Sequence, residues 1–241
     1  MPFPLAHPAA VLPLRRKGTS WLNFPALVIG SLVPDAAYVF RGEDISTFSH
    51  QVLGSIAFGL PPGLLMLAAF YFFRVTAVEM LPNPARRLFL TLCHRPVGPL
   101  WLAAASLIIG IWTHVLWDSF THNDGWIVGH LSILRTPVFI FAGRTARVCH
   151  VRWYASSFAG IAGIVIAFEK WKWAHEPEMG RIPVRDLIRY AILLSILVVP
   201  VALVRHLVRG QFGFILTAVL CSLLVIVLAI RMTRIRRGMR L

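Results

Sequence analysis

The sequence predicts an all-α fold, a polytopic helical membrane bundle with about five to six transmembrane helices. Three observations predict it. Of the 241 residues, 57% are hydrophobic and 14% charged, with a mean hydropathy of +0.71; soluble domains run near ~45–50% and ~25%. Several uncharged stretches reach the ~20 residues that a bilayer core requires of a helix. The charge is lopsided, with 24 Lys and Arg against 10 Asp and Glu, as expected of basic loops facing anionic lipid. This composition argues against an ordinary cytosolic enzyme and against intrinsic disorder. The apolar excess assigns the positive charge to a membrane surface and not to nucleic acid.

The elements follow in chain order. Residues 1–14 are apolar but too short to span. Arg15, Arg16 and Lys17 come after this run, the reverse of a secretory signal, so Met1 onward is expected to be mature chain. Residues 21–40 have spanning length but contain Pro25, Pro34 and Asp35; they are expected to form a helix broken near Pro34, with Asp35 just past the break. Five stretches read as membrane helices: 52–73, 97–117, 151–168, 187–204 and 210–230. The first and last carry no charge, and His114 is the sole ionisable group of the second. Pro61, Pro62 and Pro200 fall inside two of them, which lipid-embedded helices tolerate when neighbours satisfy the freed carbonyls. Residues 131–142, interrupted by Arg135 and Pro137, read as an interfacial segment. Cys93, Cys149 and Cys221 are scattered and read as apolar packing residues, not as a disulfide framework or a metal motif.

With the carboxy-terminal tail cytoplasmic, alternating helices place 17 Lys and Arg inside and 7 outside. That bias supports the orientation under the positive-inside rule. Most of the tryptophans fall near helix ends, as an aromatic belt does.

Polar residues are scarce in such a chain, so those at helix ends are informative. His114 and Asp118 are four apart and share a helix face. If the helix continues, His122 lies about one turn further along the same side, and Asn123-Asp124-Gly125 reads as its stop and turn. An imidazole and a carboxylate one turn apart suit zinc and similar ions. A helix-end hydrogen-bond pair uses the same two residues. In the topology above, Asp35, His50, His114 and Asp118 all fall at the outer membrane face, from three segments. Convergence of scarce ionisable groups at one depth is what a metal site in a helix bundle looks like. His7 reaches that level only if residues 2–14 re-enter between helices, or if the amino terminus lies outside and 21–40 does not span. His130, after the turn, is a weaker ligand candidate.

These residues also carry a resemblance. The opening MPFPLAHPAAVLPL, the stretch LVIGSLVPDAAYVF, the helix start FSHQVLG and the block HVLWDSFTHNDGW resemble the bacterial membrane family known as domain of unknown function 4184. The likeness extends to about Trp171. The pattern is similar to that of membrane-bound metal-dependent hydrolases of the bacterial inner membrane. These share an early His, a Pro-Asp after an apolar stretch, a following His and a later His-x-x-x-Asp. The same order occurs in zinc-dependent phospholipase C and related single-strand nucleases. The resemblance implies that His7, Asp35, His50, His114 and Asp118 are metal ligands, with His122 a further one. The next Glu after His122 and His130 is Glu169, so one or two divalent ions, zinc first among them, are expected in place of three.

Two functional readings result. In the first, the chain is a metal-dependent hydrolase of a phosphoester, lipid included, at the outer membrane face, with Asp35 or Asp118 accepting a proton from the attacking water. In the second, it is a non-catalytic membrane protein or transporter whose polar cluster is structural. In both, residues 1–241 form a single integral membrane domain. The site region is 1–171, a carboxy-terminal helix pair occupies 187–230 and a basic tail 231–241. The expected partners are membrane lipid and, at the basic cytoplasmic face, anionic lipid.

Overall fold

The computed structural model describes residues 4–15, 21–35, 52–79, 81, 83–141 and 144–175. The stretches expected to be helical at 187–204 and 210–230, and with them His50 and Cys221, lie outside the described residues. The chain divides into two compact units, one of Met1–Phe72 and Pro96–His175, the other including Phe73–Arg95.

The amino-terminal run is a 3-10 helix, Pro4–Arg15, with Pro8 and Pro13 inside it. Each proline removes an N–H and restricts the residue before it, which disfavours a regular α-helix. Helix α1 (Phe24–Gly30) starts at Asn23, whose side-chain oxygen accepts from Ala26 N at 2.9 Å, and has Pro25 in its first turn. Asn23 does more than cap. Its amide donates to the Tyr71 hydroxyl (3.0 Å) and the Val97 carbonyl (2.8 Å), and its backbone N–H donates to Ser106 Oγ (3.0 Å). One residue therefore ties the start of α1 to three other segments. The helix gives way to a turn at Ser31 and Leu32, just ahead of Pro34, and Asp35 follows on a resumed helical turn. The break expected near Pro34 is present, and Phe24–Asp35 is a short apolar helix below spanning length.

Helix α2 (Val52–Glu79) runs unbroken through Pro61 and Pro62. Helix α4 (Leu100–Thr121) starts after Pro99 and ends with His122 as its C-cap. Helix α6 covers Val148–His175. Between the last two lie a short helix α5 (Trp126–His130), a 3-10 turn (Ser132–Arg135) and a hairpin, β1 (Pro137–Phe141) with β2 (Arg144–Arg147). The segments Gly54–Glu79, Leu100–His130 and Val148–Ala174 are long and apolar enough to cross a membrane. They correspond to the stretches expected at 52–73, 97–117 and 151–168.

The hairpin corrects the all-α expectation. Phe139 pairs with Ala146 and Ile140 with Thr145 in antiparallel register. Val138, Phe139 and Ile140 are β-branched or aromatic and favour extended backbone, and Pro137 bars a helix from running through.

In the second unit, α3 (Asn83–Cys93) follows the end of α2. Leu88 and Cys93 are buried, and the Cys93 thiol donates to the Arg74 carbonyl at 3.7 Å.

The surface of the first unit is inverted relative to a soluble protein. Leu65, Leu100 and Phe158 are each more than 70% exposed, while Ser31, Ser55, Ser106 and His114 are buried. That pattern is consistent with a membrane protein, since lipid accepts an apolar exterior and scarce polar groups turn inward. The main apolar core joins Ala26, Ile29 and Val33 to Leu67, Ala103 and Leu107. A second cluster, Val128, Leu134 and Cys149, packs beneath the hairpin region with Phe120 and Ile127 against it.

Glycines set how closely these helices approach. A Cβ on Gly30 would strike the Leu107 carbonyl oxygen, and one on Gly110 would strike the Leu27 carbonyl oxygen. Helix α1 therefore lies backbone to backbone on α4, the small-residue contact that lets membrane helices come close. Gly110→Ala is expected to lower the apparent Tm in mild detergent by several degrees, because overpacking against a backbone atom costs ~1–3 kcal/mol. Gly163→Ala, where an added Cβ meets nothing within 4 Å, serves as control and should leave the Tm unchanged or raise it. Equal melting of the two variants would contradict the close crossing.

Candidate metal centre

Helix α4 supplies two of the central residues. His114 and Asp118 stand one turn apart on the face turned toward α1 and the amino-terminal helix. Both are buried, at 0% and 4% exposure. His114 Nδ1 lies 2.8 Å from the Ser31 carbonyl oxygen. A carbonyl only accepts, so Nδ1 carries the hydrogen and donates. The opposite nitrogen of the neutral ring then presents a lone pair. That Nε2 lies 3.1 Å from Asp118 Oδ2 and 3.7 Å from Asp35 Oδ1.

Asp35 arrives from the turn after α1. It is 7% exposed, and the turn at Ser31–Leu32 carries it past the Gly30–Gly110 crossing to the level of His114.

His7 comes from the amino-terminal 3-10 helix, fully buried. The helix packs against α6, α4 and α1, and at Gly160 of α6 an added Cβ would stand 3.0 Å from Ala6. These contacts bring His7 into the first unit beside the residues of α4. Its ring stacks on that of His114, centroids 3.8 Å apart and planes 23° apart, with the Trp117 ring edge-on at 5.8 Å. Its Nε2 lies 3.6 Å from Asp118 Oδ1 and 3.9 Å from Asp35 Oδ2.

His7, His114 and Asp118 each offer one ligand atom, all within 4.8 Å of one another. Asp35 lies within ion-pair distance of both imidazoles. Four residues from three segments thus converge inside the protein. His122 stands at the edge. The helix ends at Thr121, so His122 caps it and does not continue its face. Its Nδ1 is 3.2 Å from the Asp118 backbone carbonyl and 3.6 Å from Asp118 Oδ1. From there it braces Asp118, while its Nε2 is buried without a hydrogen-bond partner among the described residues. His130 is exposed, 2.7 Å from the Trp126 carbonyl and tilted over the Trp126 ring, so local contacts account for it. Asp124 is exposed in the turn after α4. His50 lies outside the described residues.

The donor set fits a divalent transition metal. Two ligands at ~2.0–2.1 Å subtending a tetrahedral angle stand about 3.3–3.4 Å apart. The observed nitrogen–oxygen separations of 3.1, 3.6, 3.7 and 3.9 Å bracket that value, and three of them exceed hydrogen-bond length. The Ser31 carbonyl on the far side of the His114 ring supplies the partner that orients a ligating imidazole.

Three contributors escape a sequence reading. The Ser31 contribution is a backbone carbonyl, which any residue type provides. Trp117 reads as one more belt tryptophan. Gly30 and Gly110 act through the absence of a side chain.

A mostly helical chain with three segments long and apolar enough to cross a membrane and a buried His/Asp cluster is the class that fold and site define. The chain belongs to the family described as Domain of unknown function (DUF4184), whose model matches residues 1–235. No curated protein and no solved structure matches it.

The two acids of the HVLWDSFTHNDGW block separate the cluster from ordinary turn chemistry. Asp118→Asn should reduce metal content, measured by elemental analysis of protein purified in mild detergent, about tenfold or more. Asp124→Asn should leave it intact. Equal occupancy in the two variants would remove Asp118 from the ligand set.

Proposed function

We propose that the protein is a metal-dependent membrane hydrolase of phosphoesters, lipid phosphoesters among them, with one or two divalent ions, zinc foremost, held by His7, His114 and Asp118 together with Asp35. The convergence of two imidazoles and two carboxylates inside an apolar protein is the observation that supports it. Two carboxylates and two imidazoles offer a divalent ion oxygen and nitrogen ligands of the kind zinc takes, and two protonated rings stacked at 3.8 Å would repel each other. The order of early His, Pro-Asp and later His-x-x-x-Asp, shared with metal-dependent hydrolases, points the same way.

A divalent ion held there would supply Lewis acidity, lowering the pKa of a water beside it far below that of bulk water and offsetting charge on a phosphoryl oxygen. The protein's own groups do the rest. His114 is fixed in orientation by Ser31, and His7 by the stack on His114 and the edge of Trp117. Asp118 is braced by His122. Asp35, outside the tightest trio, is placed to accept the proton of the attacking water. A water oxygen–phosphorus bond forms, the ester phosphorus–oxygen bond breaks, and the proton taken by Asp35 passes to the leaving alcohol. Asp118 is the alternative base where it is not engaged by metal.

The same proposal sets this site at the outer face of the bacterial cytoplasmic membrane. The bundle has five to six spans, the carboxy terminus is cytoplasmic, and the basic inner loops lie on anionic lipid. The 17-to-7 division of Lys and Arg supports that orientation.

Two measurements test these proposals. In vesicles of defined phospholipid, release of a phosphorylated headgroup or of phosphate should depend on added zinc or manganese and stop with a chelator. Asp35→Asn should turn over ~10²–10⁴-fold more slowly even in the fraction of protein that still holds metal. Metal-free protein, or full activity in Asp35→Asn, would defeat the assignment. For orientation, an impermeant maleimide added from outside should label Ser119→Cys and spare Asn83→Cys. Burial pushes the Cys93 thiol up from its ordinary value, only partly offset by the Arg74 guanidinium. The reactive thiolate is therefore scarce at neutral pH, and background at Cys93 should be slow. The reverse labelling pattern would invert the topology.

A further inference from the structure

Beside the cluster lies a cleft of about 620 Å³, within the size range of sites for small organic ligands. Its walls are mostly apolar, formed by Ala10 of the amino-terminal helix, Leu116 and Phe120 of α4, and Ala155 and Ala159 of α6. Trp117 and Thr121 also line it. Trp117 is the partition: its indole N–H donates to Ser156 Oγ at 3.1 Å, and its ring meets His7 edge-on. Thr121 belongs to both sides, since its hydroxyl lies 3.4 Å from His122 Nδ1. The cleft and the buried cluster are thus separated by one layer of side chains. Among the described residues one cation lines the cleft. Arg152, exposed, holds its guanidinium 5.3 Å from the centroid of the Phe120 ring. The neighbouring exterior is apolar, with Leu116 and Phe158 largely exposed.

We infer that this cleft binds one membrane phospholipid, its acyl chain along Ala10, Leu116, Ala155 and Ala159 and its anionic phosphate on Arg152. An apolar trough with a cation beside it is complementary to an amphiphile with a negative head, and guanidinium matches phosphate geometry. A small soluble phosphoester has no use for the apolar wall, and an apolar helix from another protein has none for Arg152. Alanines at 155 and 159 make the trough, because any larger side chain would fill it. The inference deepens the hydrolase reading and rests on it for what happens after binding: the lipid is the substrate class, and Arg152 sets its headgroup specificity. Binding itself is testable apart from catalysis.

The protein is placed in nanodiscs with trace phosphatidylglycerol or phosphatidylcholine bearing a diazirine in the acyl chain. Photocrosslinks are then mapped by peptide mass spectrometry. Wild-type protein should capture the anionic probe on peptides of α4 and α6 around the cleft, in preference to the zwitterionic one. Arg152→Gln should lose about tenfold of that preference, in line with one charge-assisted contact. Ala155→Trp, on an exposed position, should abolish capture of both probes while metal content stays at the wild-type level. Undiminished capture by Ala155→Trp overturns the inference. So does a crosslinked dimer through Ala155→Cys in place of lipid capture, which would make a second copy the occupant. Asp118→Asn keeps the two proposals distinct. Metal lost with lipid capture retained supports the cleft independently of the metal, whereas unchanged metal content in that variant sinks the metal reading and leaves the cleft standing.

Discussion

Gly30 and Gly110 meet where α1 crosses α4, and the position of the buried cluster depends on that contact. Neither residue has a side chain, so the crossing brings carbonyl oxygens of one helix to the Cα atoms of the other. One residue beyond Gly30 is Ser31, whose carbonyl accepts from His114 Nδ1. One turn beyond Gly110 is His114 itself. The same crossing therefore fixes both ends of the hydrogen bond that selects the histidine's tautomer and decides which nitrogen faces the carboxylates. Asp35 follows four residues after Ser31 and inherits its level. Spreading the helices by the width of a methyl group would loosen the hydrogen bond and the Asp35 approach together. Asn23 secures the far end of α1 with four hydrogen bonds, so the short helix has little freedom to slide along α4.

The amino-terminal segment completes the cluster by a different device. A regular α-helix through Pro8 and Pro13 is disfavoured, and the 3-10 geometry that replaces it rises further per residue. It buries Ala6, His7 and Val11 while leaving Leu5 exposed. Gly160 lets α6 approach Ala6 closely enough to press His7 onto His114. Two stacked imidazoles are poor hosts for two protons, since like charges at this spacing repel.

How much of this was legible in the sequence follows from the physics of each part. The fourfold spacing of His114 and Asp118 fixes a shared face on any helix, so it reads directly. Asp35 and His7 stand out because ionisable groups are rare in an apolar chain. The three described spanning segments are likewise plain from length and hydropathy. By contrast, the Gly30–Gly110 contact is non-local, and nothing in either residue names its partner. The Ser31 carbonyl carries no side-chain signature. Residues 137–147 are too short for periodicity to separate a hairpin from an interfacial run. His122 continues the face of α4 only if the helix runs on past Thr121. The helix instead ends at Thr121, and the Asn-Asp-Gly turn that follows leaves the imidazole folded back on Asp118. The stop signal was visible, but its effect on the residue just before it depends on cap geometry.

Two carboxylates in so apolar a helical protein are tolerable only when protein, and not hydrocarbon, surrounds them. The fold meets that condition with short elements. The 3-10 helix covers one side of the cluster and the broken α1 another, while the long helices α4 and α6 supply the wall. This division has a consequence for chemistry. The long helices present large apolar faces outward and fix the depth of the site. The short elements, free of any need to span, are shaped around the charged groups. The same division leaves a trough lined by α4, α6 and Ala10, with the Trp117 ring between it and His7. A site built in this way is shielded from bulk water on its short-element side and borders apolar surface on the other. Its access route is then expected to run laterally along the helices, which is the direction from which a lipid, and not a soluble metabolite, would come.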